Sequence, residues 1–516
     1  MAQRADTSLK LASPIMEGAR HTDEGAQTDI ATTSDREERA ENYLPDAIIT
    51  EIEDGVEMGV AEDEEFVRKY LPPDSDNVED VERYQLGGYH PVSLGDILGG
   101  YEIVHKLGFG GFSTVWLGWD VSNKTYAAIK INTADATVNS DDDIFKHILE
   151  KGADQPALKY IERPIRYFTV SGPNGCHLCT VSNILGPSIS QLTRDETPLG
   201  IEETRRMAMQ LTQCVAFLHS KDIGIAHGDL TTSNVLFEIS SINHWPVEEL
   251  NDHLGKIRVV RVFDEDGELN TTDFAPEYLV EPVNPMNLFA LRTGNIKVID
   301  FAESFNLDSP PENGVGTPFP FCSPELLVHK SAGKASDIWA LACSILEMRA
   351  GEPLIMGMMG DEGEILSQMR SLFGPFPENL RDPEVNEDEV YDDSWTLKTR
   401  ILGDEPMENV TTNGPYHLLP NHESFAEERR KIGWLARLKT WVWGFFSSWW
   451  TAALEYIRNA RRTEEEQEEY QRKAAERREL KVLYDLLSGI FKYDIEERLK
   501  ADQMLLHPWL SPDTNL

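Results

Sequence analysis

The chain has 516 residues, with 48 Lys and Arg against 89 Asp and Glu, a formal charge of −41. That length exceeds one ordinary domain. The charge disfavours direct binding to nucleic acid or anionic membranes and favours basic partners. Five cysteines give no disulfide framework, so a reducing compartment is expected. The N-terminus lacks a basic start followed by an apolar run, so no secretory signal is read there.

Residues 1 to about 85 are acidic and short of aromatics. They offer too little apolar area to bury and are expected to be disordered. From 87 the pattern becomes strand-like. Tyr101–Val104 and Val115–Leu117 read as strands. They flank Leu107-Gly108-Phe109-Gly110-Gly111-Phe112-Ser113-Thr114-Val115. A glycine-rich turn lets backbone N–H groups approach phosphate oxygens with no Cβ in the way. Taken alone it reads equally well as a hairpin turn. Ala127-Ala128-Ile129-Lys130 follows, a strand whose lysine lies 15 residues beyond Val115. Such a lysine is a point charge suited to nucleotide phosphates. Cys176 and Cys179 form a C-x-x-C pair in a predicted strand. Residues i and i+3 of a strand face opposite sides, so no shared metal is expected.

Met207, Leu211, Val215 and Leu218 give residues 203–220 helical spacing. That helix leads into His227-Gly228-Asp229-Leu230-Thr231-Thr232-Ser233-Asn234. In H-x-D-x-x-x-x-N the carboxylate takes a proton from an acceptor hydroxyl, and the asparagine turns back to hold magnesium. Sixty-five residues separate Asn234 from Asp300, far more than a short hairpin needs. Residues 239–294 are therefore read as an insertion, with Ile257–Phe263 a candidate strand. The apolar run Ile296–Ile299 ends in Asp300-Phe301-Ala302, where the aspartate would chelate magnesium. Asp273-Phe274-Ala275-Pro276-Glu277 mimics two motifs at once, but no buried strand precedes it and no segment separates its parts. Ser323-Pro324-Glu325 comes 23 residues after Asp300, followed by Ser336-Asp337-Ile338-Trp339 and a late Arg498.

A second insertion is read from about 380 to 480. It opens on the acidic run Asp382–Asp393, after a predicted helix at Gly363–Leu372. Trp434–Leu454 then holds Trp434, Trp441, Trp443, Trp449 and Trp450. Its uncharged run, Thr440–Leu454, is 15 residues long, too short to span a bilayer comfortably. It reads as a helix packed on its own domain or a partner-binding patch, with interfacial membrane binding the other reading. Glu464–Arg478 reads as a long charged helix.

The glycine turn, strand lysine, H-x-D loop, D-F-x and S-P-E strings stand in the order of a protein kinase. Within that group the chain resembles the SR-protein kinase (serine/arginine-protein kinase, SRPK) family, near its fungal branch. The resemblance rests on Gly87-Gly88-Tyr89-His90-Pro91-Val92, on Lys106 to Leu117, and on Ser171 to Gly186. It covers roughly 85–510 and implies an α+β, two-lobed fold. A small, mainly antiparallel β lobe would occupy 86–185. A large, mainly helical lobe would occupy 186–516 and carry both insertions.

The resemblance also implies ATP and Mg2+ as cofactors. Asp229 would be the base, Lys130 would orient the phosphates, and Asn234 and Asp300 would hold the metal. Residues Leu107 to Val115 would cover the nucleotide. The adenine would meet hinge backbone near Asn183, Ile184 and Leu185, with Ser182 beside it. His227 would brace the loop, Asp337 would anchor it, and Arg498 would pair with Glu325. Four departures stand out. Thr231 replaces the usual lysine, and Ala302 replaces the glycine of Asp-Phe-Gly. Phe321-Cys322 replaces Tyr-Arg, and no glutamate matches the usual partner of Lys130, for which Asp141 or Asp143 could stand in. Gly228 replaces the arginine that usually pairs with a phosphorylated activation loop, so no such switch is expected.

The function implied is a serine/threonine kinase acting on basic, arginine/serine-rich proteins, and so in mRNA splicing regulation. The alternative is a pseudokinase scaffold. A monomer in cytoplasm and nucleus, with no transmembrane segment, is expected.

Overall fold

The computed structural model describes residues 48–50, 68–136, 141–194, 199–356, 362–380, 396–403 and 464–511. The acidic run 382–393 and the Trp-rich segment 434–454 lie outside the described residues.

The small lobe is built on an antiparallel sheet of six strands. Their ranges are β2 (Ile97–Leu98), β3 (Tyr101–Gly110), β4 (Ser113–Asp120), β5 (Thr125–Asn132), β6 (Arg166–Gly172) and β7 (Gly175–Ser182). Their order in the sheet is β2-β3-β4-β5-β7-β6. These strands are rich in β-branched and aromatic residues, which suit a half-buried pleat. Ile103, Trp116, Ile129 and Val181 line its buried face. The turn between β6 and β7 is the Gly172–Gly175 segment. The helix Asp142–Gly152 follows β5, and its Phe145 and Ile148 reach the core of the large lobe.

The large lobe surrounds the helix Lys334–Ala350. Every residue from Ser336 to Met348 in it is buried, as expected of a helix that is apolar on all sides. The helices Ile201–Leu218 and Glu464–Ile490 pack on it. The charged helix foreseen over 464–478 thus runs on to Ile490, because Leu483, Leu486, Leu487 and Ile490 supply a buried stripe. The helix foreseen over 363–372 is Glu362–Phe373.

Two expectations need correction. The insertion does not lie on the large lobe alone, where only Met286 and Phe289 among its hydrophobic side chains pack on that lobe's core. It leaves β10 (Val235–Ile239) and returns as β13 (Arg292–Val298), but between them it climbs the small lobe. Its strand β11 (Arg258–Arg261), inside the stretch foreseen as a strand, pairs antiparallel with β12 (Tyr278–Val280). The reason is that this strand is apolar on both faces. Val259 packs with the small-lobe core, while Val260 faces a second cluster on the opposite side.

That second cluster shows residues 68–85 packed, against the disorder expected there. Tyr70, Val78, Val81 and Tyr84 are buried against Val260, Val262 and Leu279. Residues 68–85 are few in apolar side chains, but they spend nearly all of them on one surface offered by the insertion. Farther upstream, β1 (Ile48–Thr50) pairs parallel with β11. The rest of 1–67 lies outside the described residues.

Candidate active site

The base of the site is a backbone loop held by one carboxylate. Asp337 of the helix Lys334–Ala350 is buried. It accepts hydrogen bonds from the amides of His227 (2.7 Å) and Gly228 (3.0 Å), and pairs with His219 Nε2 at 2.9 Å. Burial pushes its carboxyl up, but the His219 hydrogen bond and charge lead a set of contacts that outweigh it, so its pKa lies below the usual carboxylate value. Hydrogen bonds to the charged form win here.

Gly228 has φ +80°, and a Cβ there would sit 2.3 Å from the carbonyl oxygen of Glu303. The missing arginine is therefore a steric requirement. The activation segment closes over this point without a cation. Thr317 donates its hydroxyl to the Gly228 carbonyl, Ser304 Oγ donates to the His227 carbonyl at 2.9 Å, and Gly316 N–H donates to Glu303 Oε2 at 2.9 Å. His227 is fully buried. Its Nδ1 accepts from the Asp229 amide (3.2 Å), which leaves Nε2–H to donate to the Ile299 carbonyl (3.1 Å). Both ring nitrogens are thus committed to backbone, so His227 braces the loop and is not placed to carry a proton. Phe301 packs between His227 and Phe145 in tilted contacts, with ring centroids 4.8 and 5.0 Å apart.

This frame brings Lys130, Asp229, Asn234 and Asp300 into one electrostatic cluster. Lys130 Nζ lies 2.7 Å from Asp300 Oδ2. Asn234 Nδ2 donates to Asp229 Oδ2 at 2.7 Å and to the Asp229 carbonyl at 2.9 Å. Asp229 Oδ1 is buried and has no hydrogen-bond partner. A buried carboxylate oxygen left unpaired is costly, and this one faces the chemistry the motif implies. Asp300 sits at φ +63°, a backbone conformation that non-glycine residues seldom hold outside functional sites.

The two aspartates are pushed in opposite directions. Burial raises the Asp229 carboxyl; His227 and the Asn234 amide only partly offset this, and Asp300 and Glu303 add to it. Burial also acts to raise Asp300, but the Lys130 ammonium outweighs it, and its pKa is lowered. Asp300 is kept ionised, as a metal ligand must be, while Asp229 is made more basic, as a proton acceptor must be.

The residues fit a magnesium nucleotide. The Asp300 carboxylate and the side-chain Oδ1 of Asn234 offer the oxygen ligands magnesium prefers. Between β3 and β4 a Cβ on Gly108 or Gly110 would meet nothing within 4 Å, so the glycine turn leaves its backbone approachable. Thr231 is buried and brings no charge, which leaves Lys130 as the cation among the residues singled out from the sequence. Beside the turn lies a cavity of about 650 Å³ that β3 shares with the insertion, lined among others by Phe109, Gln191, Arg194 and Lys256.

Several expectations are refined here. Neither candidate helix carboxylate pairs with Lys130. Asp143 is 94% exposed and pairs with Lys146, while Asp141 accepts the Tyr167 hydroxyl. Asp141 still lies close enough to Lys130 and Asp300 to feel both charges. Lys130 spends its contact on Asp300 instead. At the hinge, the Asn183 amide donates to Glu162 Oε1 at 3.1 Å. Ile184 turns its side chain toward the insertion cluster, and Leu185 opens β8 (Leu185–Ser188). Phe321 and Cys322 are both buried, so they fill the core instead of lining a pocket. Arg498 forks onto Glu325 at 2.6 and 2.7 Å, as foreseen. The decoy near Asp273 docks on the small lobe, where the Phe274 carbonyl accepts from Asn174. Cys176 is exposed and Cys179 buried, and no group of three metal-ligating side chains occurs among the described residues. Sequence reasoning missed Tyr89, Glu79 and Arg83, which touch the glycine strand and turn; Tyr89 was quoted only as part of a family string.

This arrangement is that of a protein kinase domain with two lobes, the glycine turn belonging to the small one. A protein kinase domain model matches residues 283–510. A serine/threonine-protein kinase spk-1 of Caenorhabditis briggsae is 32% identical over 218 residues, 41% of this chain and 19% of the relative. Human SRSF protein kinase 3 is 32% identical over 179 residues, 33% of this chain and 31% of the relative. The serine/threonine-protein kinase SRPK of Physarum polycephalum is 26% identical over 342 residues, 63% of this chain and 79% of the relative. The chain thus spans only 19% to 31% of the length of the first two. The chain thus carries a protein kinase domain similar to those of SRPK-type kinases. No helix among the described residues is long and apolar enough to cross a membrane.

Proposed function

We propose that the protein is an ATP-dependent serine/threonine kinase whose substrates are basic, arginine/serine-rich proteins. The observation that carries the catalytic part is the geometry that gathers the four side chains: Asn234 Nδ2 on Asp229 Oδ2 at 2.7 Å and Lys130 Nζ on Asp300 Oδ2 at 2.7 Å. When bound, magnesium-ATP supplies the γ-phosphoryl group. Asp229 Oδ1 accepts the proton of the substrate hydroxyl. Asn234 fixes the other oxygen of that carboxylate, and so its direction. Lys130 balances the charge of Asp300 and of the phosphates. The clustering of Lys130, Asp229, Asn234 and Asp300 supports this reading over the scaffold alternative.

The substrate class is supported by the net charge of −41 and by relatives named for SR-protein kinases. Arginine side chains recognise carboxylates through paired hydrogen bonds, which adds specificity to attraction. A role in splicing regulation, from the cytoplasm and nucleus, follows from such substrates; imaging of the tagged protein in cells tests the location. A magnesium-ATP phosphorylation assay on an arginine/serine repeat peptide tests the activity. Asp229→Asn should lose at least about 100-fold in kcat while still binding nucleotide, since the base acts on the acceptor hydroxyl. Wild-type turnover in Asp229→Asn, or none in the wild type, overturns the reading.

A further inference from the structure

Residues 79–89 precede the glycine turn in sequence and also pack against it. Tyr89 is 3% exposed, and its hydroxyl donates to the Gly110 carbonyl at 2.7 Å. The Arg83 guanidinium lies 5.2 Å from the Tyr89 ring and 5.7 Å from that of Phe112, at the tip of the turn. Four residues before Gly110, Lys106 is fully buried in an ion pair with Glu79, which also accepts the Tyr84 hydroxyl at 2.5 Å.

The segment is itself rigidly placed. The Tyr89 amide donates to the Arg83 carbonyl at 2.9 Å, closing a tight loop. A Cβ on Gly88 would come within 1.8 Å of that carbonyl, so the loop closes only with glycine there. Gly87 and Gly88 are tied to the sheet elsewhere. The Gly87 amide donates to Asn174, and the carbonyls of Gly87 and Gly88 accept from Asp135 and Ala134. The anchor therefore does not depend on the turn it holds.

The turn needs such an anchor. Glycine loses more conformational freedom on ordering than any other residue, and Gly108, Gly110 and Gly111 follow closely on one another. Phe112 is 71% exposed, and the Arg83 guanidinium is the cation over its ring. We propose that residues 79–89 are a brace that sets the position of the glycine turn. Tyr89 is the positioning residue through Gly110, Arg83 acts through Phe112, and the Glu79–Lys106 pair fixes the root. The effect on nucleotide affinity rests on the kinase reading; the order of the turn does not.

The test is hydrogen exchange of the full chain, read peptide by peptide, together with titration by magnesium-ATP. Tyr89→Phe keeps the ring and its stacking but removes the hydroxyl. One lost hydrogen bond corresponds to about a 3- to 10-fold change. The amides of 108–113 should exchange faster by that factor, while those of β5 and β7 stay as in the wild type. The dissociation constant for magnesium-ATP should rise by a similar factor, with kcat little changed. Arg83→Ala should show the same pattern, and the double variant with Tyr89→Phe a larger one. Unchanged exchange at 108–113, or a rise spread evenly over the sheet, overturns the brace. If the wild type binds no nucleotide, the kinase reading fails, and exchange at 108–113 alone still decides this proposal.

Discussion

At the scale of single residues, immediate neighbours decide what a loop position can hold. Gly228 is the clearest. Its φ of +80° and the 2.3 Å approach to the Glu303 carbonyl leave no room for a side chain. Gly228→Ala should lower stability by about 1–3 kcal/mol, the range for a non-glycine residue forced into sparse backbone space. Denaturant unfolding measures it, and an unchanged midpoint would show that the activation segment can move aside. Asp337 makes a second case, through pH. Its folded pKa lies below the ordinary value, with hydrogen bonds from His219 and the loop amides outweighing burial. A depressed carboxylate stabilises the fold above its unfolded pKa of about 3.9 and loses that contribution as pH falls through the folded pKa. Asp337→Asn should therefore be less stable than the wild type at pH 7, by about 1.5–3 kcal/mol for weakened bonds to a charged acceptor. The gap should narrow as pH falls below about 4. A gap of constant size from pH 7 to pH 3 would mean that the carboxylate charge contributes nothing.

At the scale of elements, the N-terminal segment and the insertion act as one unit. Neither has a core alone. Together they enclose Tyr70, Val78, Val81, Tyr84, Val260, Val262 and Leu279. They also supply the partner of Lys106, whose pKa burial lowers even with Glu79 beside it. Deleting residues 1–85 removes Glu79 and leaves that ammonium buried and unpaired, which costs about 3–5 kcal/mol where it has been measured elsewhere. The shortened protein should melt well below the full chain and expose apolar surface to a reporter dye. Equal melting temperatures would restore the reading of this segment as a dispensable tail. The helix Asp142–Gly152 is the contrasting element. It packs where a kinase helix should, through Phe145 against Phe301, yet it presents no carboxylate to Lys130.

At the scale of the molecule, the sign of the charge matters more than any one acid. With a net charge of −41, the chain would attract the arginine-rich substrates proposed above over a distance set by the ionic strength. That field is screened beyond roughly 8–10 Å at 0.1–0.15 M salt. The KM for a basic protein substrate should rise steeply between 50 and about 200 mM salt. The KM for a short neutral serine peptide should change little over the same range. Parallel salt dependence of the two would show that long-range attraction has no part in substrate choice.

The sequence by itself determined the order of the chemistry. Lys130, Asp229, Asn234 and Asp300 were legible because each sits in a short string whose backbone geometry is local: a strand end, a loop of fixed length, a turn after a strand. The pairing of Arg498 with Glu325 and the bracing role of His227 followed from the same strings. Other features were decided only by the tertiary structure, since they depend on which distant surface is free to be covered. Val260 and Val262 show an apolar second face in the sequence, but not that Tyr70 and Tyr84 would fill it. Asp141 and Asp143 were equivalent candidates until folding turned one outward to Lys146 and gave the other to Tyr167. The Gly228 substitution signals a missing cation in the sequence, whereas its cause is a carbonyl 75 residues farther along the chain, that of Glu303. Local backbone chemistry repeats from protein to protein and can be read in short windows. Burial and partner choice are settled between segments far apart in the chain, where the outcome depends on all the surfaces competing for cover.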